Sequence, residues 1–240
     1  MAKLSYSPLL VFAGLSLFGL FNFAGIDFIW ANFLYDLQGG EWRLQHFWLT
    51  EQVLHQGVRN LHLFALLGLV AFFLWQRLVV KQQKTSVQAL GLLLLSLMLC
   101  FASIALLKRM LPTECPWDLQ QFGGTQPYIG LLIARPVEMP HTQCFPAGHA
   151  SIGFAWISLF FYCQRVKPNL ARPALVGALT LGFVLGFVQQ LRGAHFFSHD
   201  IATVMVCWFI ATLVFNAEIL WERWFKPRLR VAHKERSSLL

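Results

Sequence analysis

Apolar residues along this chain come in long runs rather than in alternation, and each run is closed by a short polar or basic stretch. About 20 mostly apolar residues are what one helix needs to cross the hydrocarbon core of a bilayer. Six segments approach that measure: 8–25, 61–80, 86–107, 149–164, 173–191 and 201–220. The pattern predicts an all-α, polytopic membrane protein, a six-transmembrane-helix bundle forming a single domain over residues 1–240. The fourth segment is the shortest. The first has no arginine-rich start and no clear small-residue cleavage site, so it is expected to remain as a span. The stretch from Ile26 to Asn60 is too polar to span. Its tryptophans, Trp30, Trp42 and Trp48, suit a membrane interface. The mixed helical pattern from Phe47 to Leu54 predicts an interfacial helix on the outer surface. His55, Arg59 and His62 follow at helical spacing and read most simply as a solvated or capping face, with a metal or phosphate role as the alternative.

Between the third and fourth segments lies a long loop, Lys108 to Pro146, punctuated by Pro112, Pro116, Gly123, Gly124, Pro127, Pro136 and Pro140. Such punctuation excludes a long helix, and loops of this length are often functional. Lysine and arginine are distributed unevenly. If the N-terminus is cytoplasmic, the inner ends carry thirteen of them, among them Lys3, Arg77, Lys81, Lys84, Arg165, Lys167, Arg172 and a basic tail over 221–240. The outer ends carry six: Arg43, Arg59, Lys108, Arg109, Arg135 and Arg192. The bias predicts both termini inside. The tail, with its aromatic and basic residues, is expected to rest on anionic headgroups.

With 57% hydrophobic and only 12% charged residues, the chain lacks the polar material to coat a soluble globule. The net charge of +8 does not indicate a nucleic-acid partner, because much of it sits in short loops and the tail. Cys100, Cys163 and Cys207 fall in spans, where a small apolar role is the default. Cys115 and Cys144 share the outer loop and are candidates for a disulfide if that loop faces an oxidising compartment; spacing alone leaves the pairing open.

Three polar clusters break the apolar pattern, all on the outer side. In Pro146-Ala147-Gly148-His149, a loop ends and an apolar helix begins. A helix start offers free N–H groups and partial positive charge, and a glycine lets an anion come close to the backbone. His149 could there donate a proton to a leaving oxygen, or merely cap the span. In the stretch from Arg192 to Asp200, Arg192 and His195 are three apart and His195 and His199 four apart, so each pair shares a helical face. The set offers a cation for phosphate, a histidine nucleophile, and an orienting partner in His199 or Asp200. A zinc site built on His195 and His199 is the rival, weakened by the lack of an adjacent glutamate. Lys108 and Arg109 end the longest apolar run; snorkelling is the simple account, but their position against the charge bias favours phosphate binding by Lys108.

Taken together, a basic residue, then glycine-histidine, then arginine-histidine on one side of a six-span bundle resemble the type 2 phosphatidic acid phosphatase family, which is related to the vanadium haloperoxidases. Lys108 and Pro116 match the first motif of that family, with Cys115 where an arginine is expected. Pro146, Gly148 and His149 match the second, with Ala147 in place of serine. His195 matches the third within Gly193-Ala194-His195-Phe196; Gln189 stands at the arginine position and His199 at the aspartate position, with Asp200 adjacent. The chain therefore looks like a divergent member. The resemblance implies a metal-independent lipid phosphatase without a cofactor: His195 attacks phosphorus, His199 or Asp200 stands behind it, His149 protonates the leaving group, and Lys108, Arg192 and the Gly148 N–H hold phosphate. The missing arginine would be supplied by Arg192, Arg135 or Arg109, in that order. Implied substrates are undecaprenyl diphosphate, phosphatidic acid, phosphatidylglycerol phosphate or a lipid A type lipid, handled at the periplasmic face of a bacterial inner membrane. A lipid-to-lipid phosphotransferase and an inactive lipid-binding or transport protein are the alternatives.

Overall fold

Long runs rich in leucine, alanine and phenylalanine form long helices, and glycine or proline follows the ends of several of them. The computed structural model describes residues 8–80, 84–131, 133–136, 139 and 142–224. Helix α1 (Pro8–Phe23) breaks at Gly25, whose φ of 75° admits the turn, and α2 (Ile26–Leu37) follows. The Ala13–Phe23 part of α1 and α2 meet at 63°. The remaining helices are α3 (Leu49–Val80), α4 (Lys84–Met110), α5 (Ser151–Phe154), α6 (Ile157–Val166), α7 (Ala171–Leu191) and α8 (Phe197–Trp224). Among the described residues four helical stretches are long and apolar enough to cross a membrane: Leu49–Val80, Ser86–Met110, Pro168–Leu191 and Phe197–Ala217. The bent α1–α2 pair makes a fifth if it is one span.

Against the expected six spans, the described residues contain four helices of spanning length, or five if the bent pair is one span. The fourth expected segment, 149–164, is divided at Ala155–Trp156 into α5 and the 10-residue α6. Every residue of α5 is buried against protein, so this segment needs no lipid-facing length. Nor is there a separate interfacial helix over 47–54. Leu49–Gly57 winds in wide, π-type turns and runs straight into the α-helical Val58–Trp75. The polar stretch after residue 25 holds α2, which the pattern did not predict as an element. Of the expected basic tail, residues 221–224 belong to α8. Residues 225–240, together with Lys3 and Lys81, lie outside the described residues.

The main core lies where α4, α5, α6, α7 and α8 meet, built on Leu93, Leu97, Phe154, Ile157, Phe161, Cys207 and Phe215. Inside it Ser96 and Ser158 share a hydrogen bond of 2.7 Å. α8 is the central element, with half of its most apolar stretch buried, whereas none of that stretch in α3 is. A second core, with Leu34, Trp42, Leu119, Phe122 and Phe196, joins α2 and the long loop at the end of the bundle where α4 and α7 finish. There Asp27 of α2 accepts the Ser198 N–H at 3.0 Å, capping the start of α8. Glu114, fully buried, pairs with Arg135 and fixes the long loop.

Close backbone approach explains why α5 and α7 carry glycine at their crossing. A Cβ on Gly153 would come within 2.2 Å of the Gly182 backbone nitrogen, which cannot move aside as a side chain can. Gly153→Ala is expected to destabilise the fold by about 1–3 kcal/mol. Gly177→Ala, where a Cβ meets nothing within 4 Å, is expected to leave stability unchanged or slightly raised. Thermal unfolding of the two variants in detergent checks this; equal midpoints would refute it.

Candidate functional site

The polar clusters converge at the bundle end formed by the start of α3, the end of α4, the turn before α5 and the α7–α8 connection. Lys108, in the last turn of α4, donates from Nζ to the Gln143 carbonyl at 2.6 Å. Its Cε lies 2.8 Å from where a Cβ on Gly148 would stand, so a side chain at 148 would displace the end of the lysine from under this turn. His149 is 7% exposed. Its Nε2 lies 2.8 Å from the Leu54 carbonyl in the π-type turns of α3. A neutral ring satisfies that contact as the Nε2–H donor, leaving Nδ1 with a free electron pair. Burial pushes the His149 pKa down to about 4, opposed by the Leu54 hydrogen bond and reinforced by His55, Arg192 and Arg59.

His195 sits in the α7–α8 connection and its Nδ1 is fully enclosed. The Cys144 carbonyl takes a hydrogen bond from His199 Nδ1 at 3.0 Å, and it also acts on the His195 ring, whose enclosed Nδ1 has no well-formed hydrogen bond of its own. Burial holds the His195 ring well below the usual pKa of histidine, with Lys108 and His199 acting in the same direction. A ring kept neutral in this way retains the electron pair a nucleophile needs. The His195 and His199 rings meet edge-on, centroids 5.7 Å apart. Asp200 faces α7 instead: Gln190 donates to Oδ2 at 2.6 Å, and the carboxylate fills the space a Cβ on Gly186 would need. Trp30 in turn donates to Gln190 at 2.7 Å.

Arg192 is buried at the end of α7; its Nε donates to the Gln45 carbonyl at 2.9 Å and its Nη1 to Gln189 Oε1 at 3.1 Å. Arg135 is engaged with Glu114 and the Pro112 carbonyl. Arg109 is exposed beyond Lys108 at the end of α4. Cys115 and Cys144 form a disulfide, with Cα atoms 5.3 Å apart. That bridge ties Cys115, in the loop after α4, to the segment whose Gln143 and Cys144 carbonyls hold Lys108 and His199. For a bound metal, the described residues offer one cluster of three candidate ligands, Cys115, Asp118 and Cys144, and two of these are joined in the disulfide.

The sequence profile of the PAP2 superfamily matches residues 89–221, from α4 through α8. The chain belongs to the PAP2 superfamily. No curated protein and no solved structure matches it. The matched region contains Lys108, Gly148, His149, Arg192, His195, His199 and Asp200, while α1, α2 and α3 lie before it. Within this PAP2 domain the Cys115 that stands at an arginine position is committed to the disulfide, and Gln189 at another arginine position accepts from Arg192.

Several participants carried no strong signal in the sequence. His55 packs at a tilt against His149 with centroids 4.7 Å apart, although its spacing pattern read more simply as a solvated face. Glu114 and Gln190 look like ordinary polar residues until the fold buries them. Gln45, Leu54, Gln143 and Cys144 contribute main-chain carbonyls, which side-chain identity does not report.

Because His149 and His195 are held neutral, folding excludes protons that the unfolded chain binds near pH 6.5. Their contribution to stability is present above about pH 6.5 and is lost as pH falls towards about 4, where folded His149 titrates. His149→Gln, whose amide can still donate to Leu54, is expected to flatten the fall. Thermal unfolding between pH 7 and pH 4.5 measures it, and parallel curves for wild type and variant would contradict the assignment.

Proposed function

We propose that this PAP2-superfamily protein is an integral-membrane phosphatase that hydrolyses a phosphate monoester or diphosphate of a membrane lipid through a phosphohistidine at His195. The observation that carries the reading is the convergence of Lys108, Gly148, His149 and His195 from three separate parts of the chain onto one end of the bundle. Phosphoryl transfer asks mainly for fixed positive charge and positioning. Lys108, Arg192 and the Gly148 N–H would supply the charge for the phosphate oxygens, with Arg109 and Arg135 at the rim and Arg135 chiefly bracing the loop. Since Nδ1 of His195 is enclosed, Nε2 is the attacking nitrogen. His199 is its positioning residue by ring contact, and Asp200 secures the first turn of α8 through Gln190. His149 handles the proton exchanged with the leaving group and the attacking water. Family members are typically metal-independent, and nothing in this scheme calls on a metal or cofactor.

The same reading assigns a bilayer-spanning role to all six segments, with both termini cytoplasmic and the site at the periplasmic face of a bacterial inner membrane. It is supported by the thirteen basic residues of the opposite ends against six on the site's side. A disulfide beside the site suits an oxidising compartment. A lipid keeps its tails in the hydrocarbon and raises its phosphate to such a site, which suits undecaprenyl diphosphate, phosphatidic acid, phosphatidylglycerol phosphate or a lipid A type headgroup.

Phosphate release from these lipids by the purified protein in detergent tests the proposal. Activity is expected to persist in EDTA and to fall by at least about 1,000-fold in His195→Ala. Full activity in that variant would refute the nucleophile, loss in EDTA would refute the metal-free mechanism, and label appearing on an added acceptor lipid instead of in inorganic phosphate would make the protein a transferase.

A further inference from the structure

Three parts of the site rest on one short piece of the long loop. The Gln143 carbonyl accepts from Lys108 Nζ at 2.6 Å, and the Cys144 carbonyl accepts from His199 Nδ1 at 3.0 Å. Cys144 Sγ lies 3.4 Å from the carbonyl oxygen of Ala194, the residue before His195. Phe145 meets the His199 ring edge-on, with centroids 5.2 Å apart. Residues 143–145 therefore touch the phosphate-binding lysine, the positioning histidine and the chain next to the nucleophile.

The covalent tie on that piece is the bridge from Cys144 to Cys115. The Cys144 N–H bonds to the Thr113 carbonyl at 3.2 Å, and Thr113 pairs with Gln143, so backbone bonds and sulfur join the same two stretches of loop. Just beyond Cys115, the Trp117 N–H bonds to the Gly193 carbonyl at 3.0 Å. The path from Cys115 to Trp117, across to Gly193, along the chain to His199, across to Cys144 and back through sulfur is a closed ring that contains His195. Neither of the two cores includes Cys115 or Cys144. The cross-link lies outside the packed centres and inside the site, so its effect falls on where the site groups stand.

Resting on the phosphatase reading above, we propose that Cys115 and Cys144 are positioning residues for phosphoryl transfer: their disulfide holds the Gln143 and Cys144 carbonyls where Lys108 and His199 need them, and turnover follows the redox state of the bridge. Opening the bridge takes a dithiol reductant. The S–S bond breaks, each sulfur takes up one electron and one proton, and the two thiols of the reductant give these up and close into a disulfide of their own. The carbonyls then lose their covalent tie, and a misplacement of about 1 Å in reacting groups costs about 100-fold in rate. Lys108 keeps its charge in the reduced protein and still attracts phosphate. The loss therefore falls on kcat more than on KM. A disulfide also stabilises a fold by restricting the unfolded chain, so placement and stability have to be measured separately.

Phosphate release is measured in detergent, well below the melting temperature, on undecaprenyl diphosphate, phosphatidic acid, phosphatidylglycerol phosphate and lipid A. The samples are oxidised wild type, wild type reduced with dithiothreitol, Cys115→Ser, Cys144→Ser and the double variant. Mass spectrometry after alkylation counts the thiols; Cys100, Cys163 and Cys207 are free in every sample, so opening the bridge adds to a known background. On reduction and in each variant kcat is expected to fall about 10- to 100-fold, with KM changed by less than about threefold. The double variant is expected to lose no more than either single one, because the two sulfurs act as one unit. Oxidised glutathione is expected to restore the reduced wild type and not the variants. Phe215→Leu, in the main core at the other end of α8, lowers stability away from the site and is expected to keep the kcat of wild type. The reduced wild type carries the test if the serine variants fail to fold, and the variants carry it if the bridge resists dithiothreitol. Full kcat with the bridge open, or a loss in Phe215→Leu as large as in the serine variants, overturns the inference and leaves the phosphatase reading standing. Phosphate release from none of the lipids by oxidised wild type overturns the phosphatase reading, and the inference with it.

Discussion

A candidate anion site has to hold its cations and its neutral histidines in place without adding negative charge, and main-chain carbonyls meet that demand here. Lys108 is bound to the Gln143 carbonyl, His199 to that of Cys144, His149 to that of Leu54 and Arg192 to that of Gln45. A carboxylate in any of these places would fix the side chain equally well, but it would compete with phosphate for the same charge. A carbonyl offers a dipole only, so the field remains available to an anion. The contrast lies in the loop, where Arg135 is matched by the buried carboxylate of Glu114 and serves the architecture. Cations that anchor the fold are paired with charge, and cations at the centre of the site are paired with dipoles.

The carbonyls must themselves be rigid, and three devices make them so. The Cys115–Cys144 bridge closes the segment that presents Gln143 and Cys144. The Cys144 N–H bonds back to Thr113 at 3.2 Å, and the Trp117 N–H to Gly193 at 3.0 Å, so the loop is stitched across the α7–α8 connection. The wide turns of α3 present the Leu54 carbonyl to His149 rather than keeping it wholly within the helix. On the other flank, Asp27 caps α8, and the chain from Trp30 through Gln190 to Asp200 locks α2, α7 and α8 together. The site is therefore built on a frame in which α2 and α3 matter as much as the matched domain.

The helical class and the clusters bearing Lys108, His149, Arg192 and His195 were legible because long apolar runs and ionisable residues at their ends are properties of side chains. The break within 149–164 was not, because Ala155 and Trp156, where it falls, are apolar and helix-compatible, and hydropathy registers neither the break nor the close approach of Gly153 to Gly182. The continuity of α3 was obscured for a related reason: Glu51, Gln52, His55 and Gln56 make its first turns look too polar to extend a span. His55 and Arg59 were visible at helical spacing, yet only the fold brings that face against His149. His199 and Asp200 both stood open as the partner of His195, and the turn of Asp200 towards Gln190 follows from the packing of α7 on α8.

Anchoring by carbonyl oxygens also has a consequence for how such a protein changes over time. Gln45, Leu54 and Gln143 perform their bonding through atoms that every amino acid possesses, so their identities are free to drift while the backbone path is kept. Selection would then act on the shape of these segments rather than on their letters, and two chains could share the same electrostatic machinery with little resemblance at the positions that hold it together.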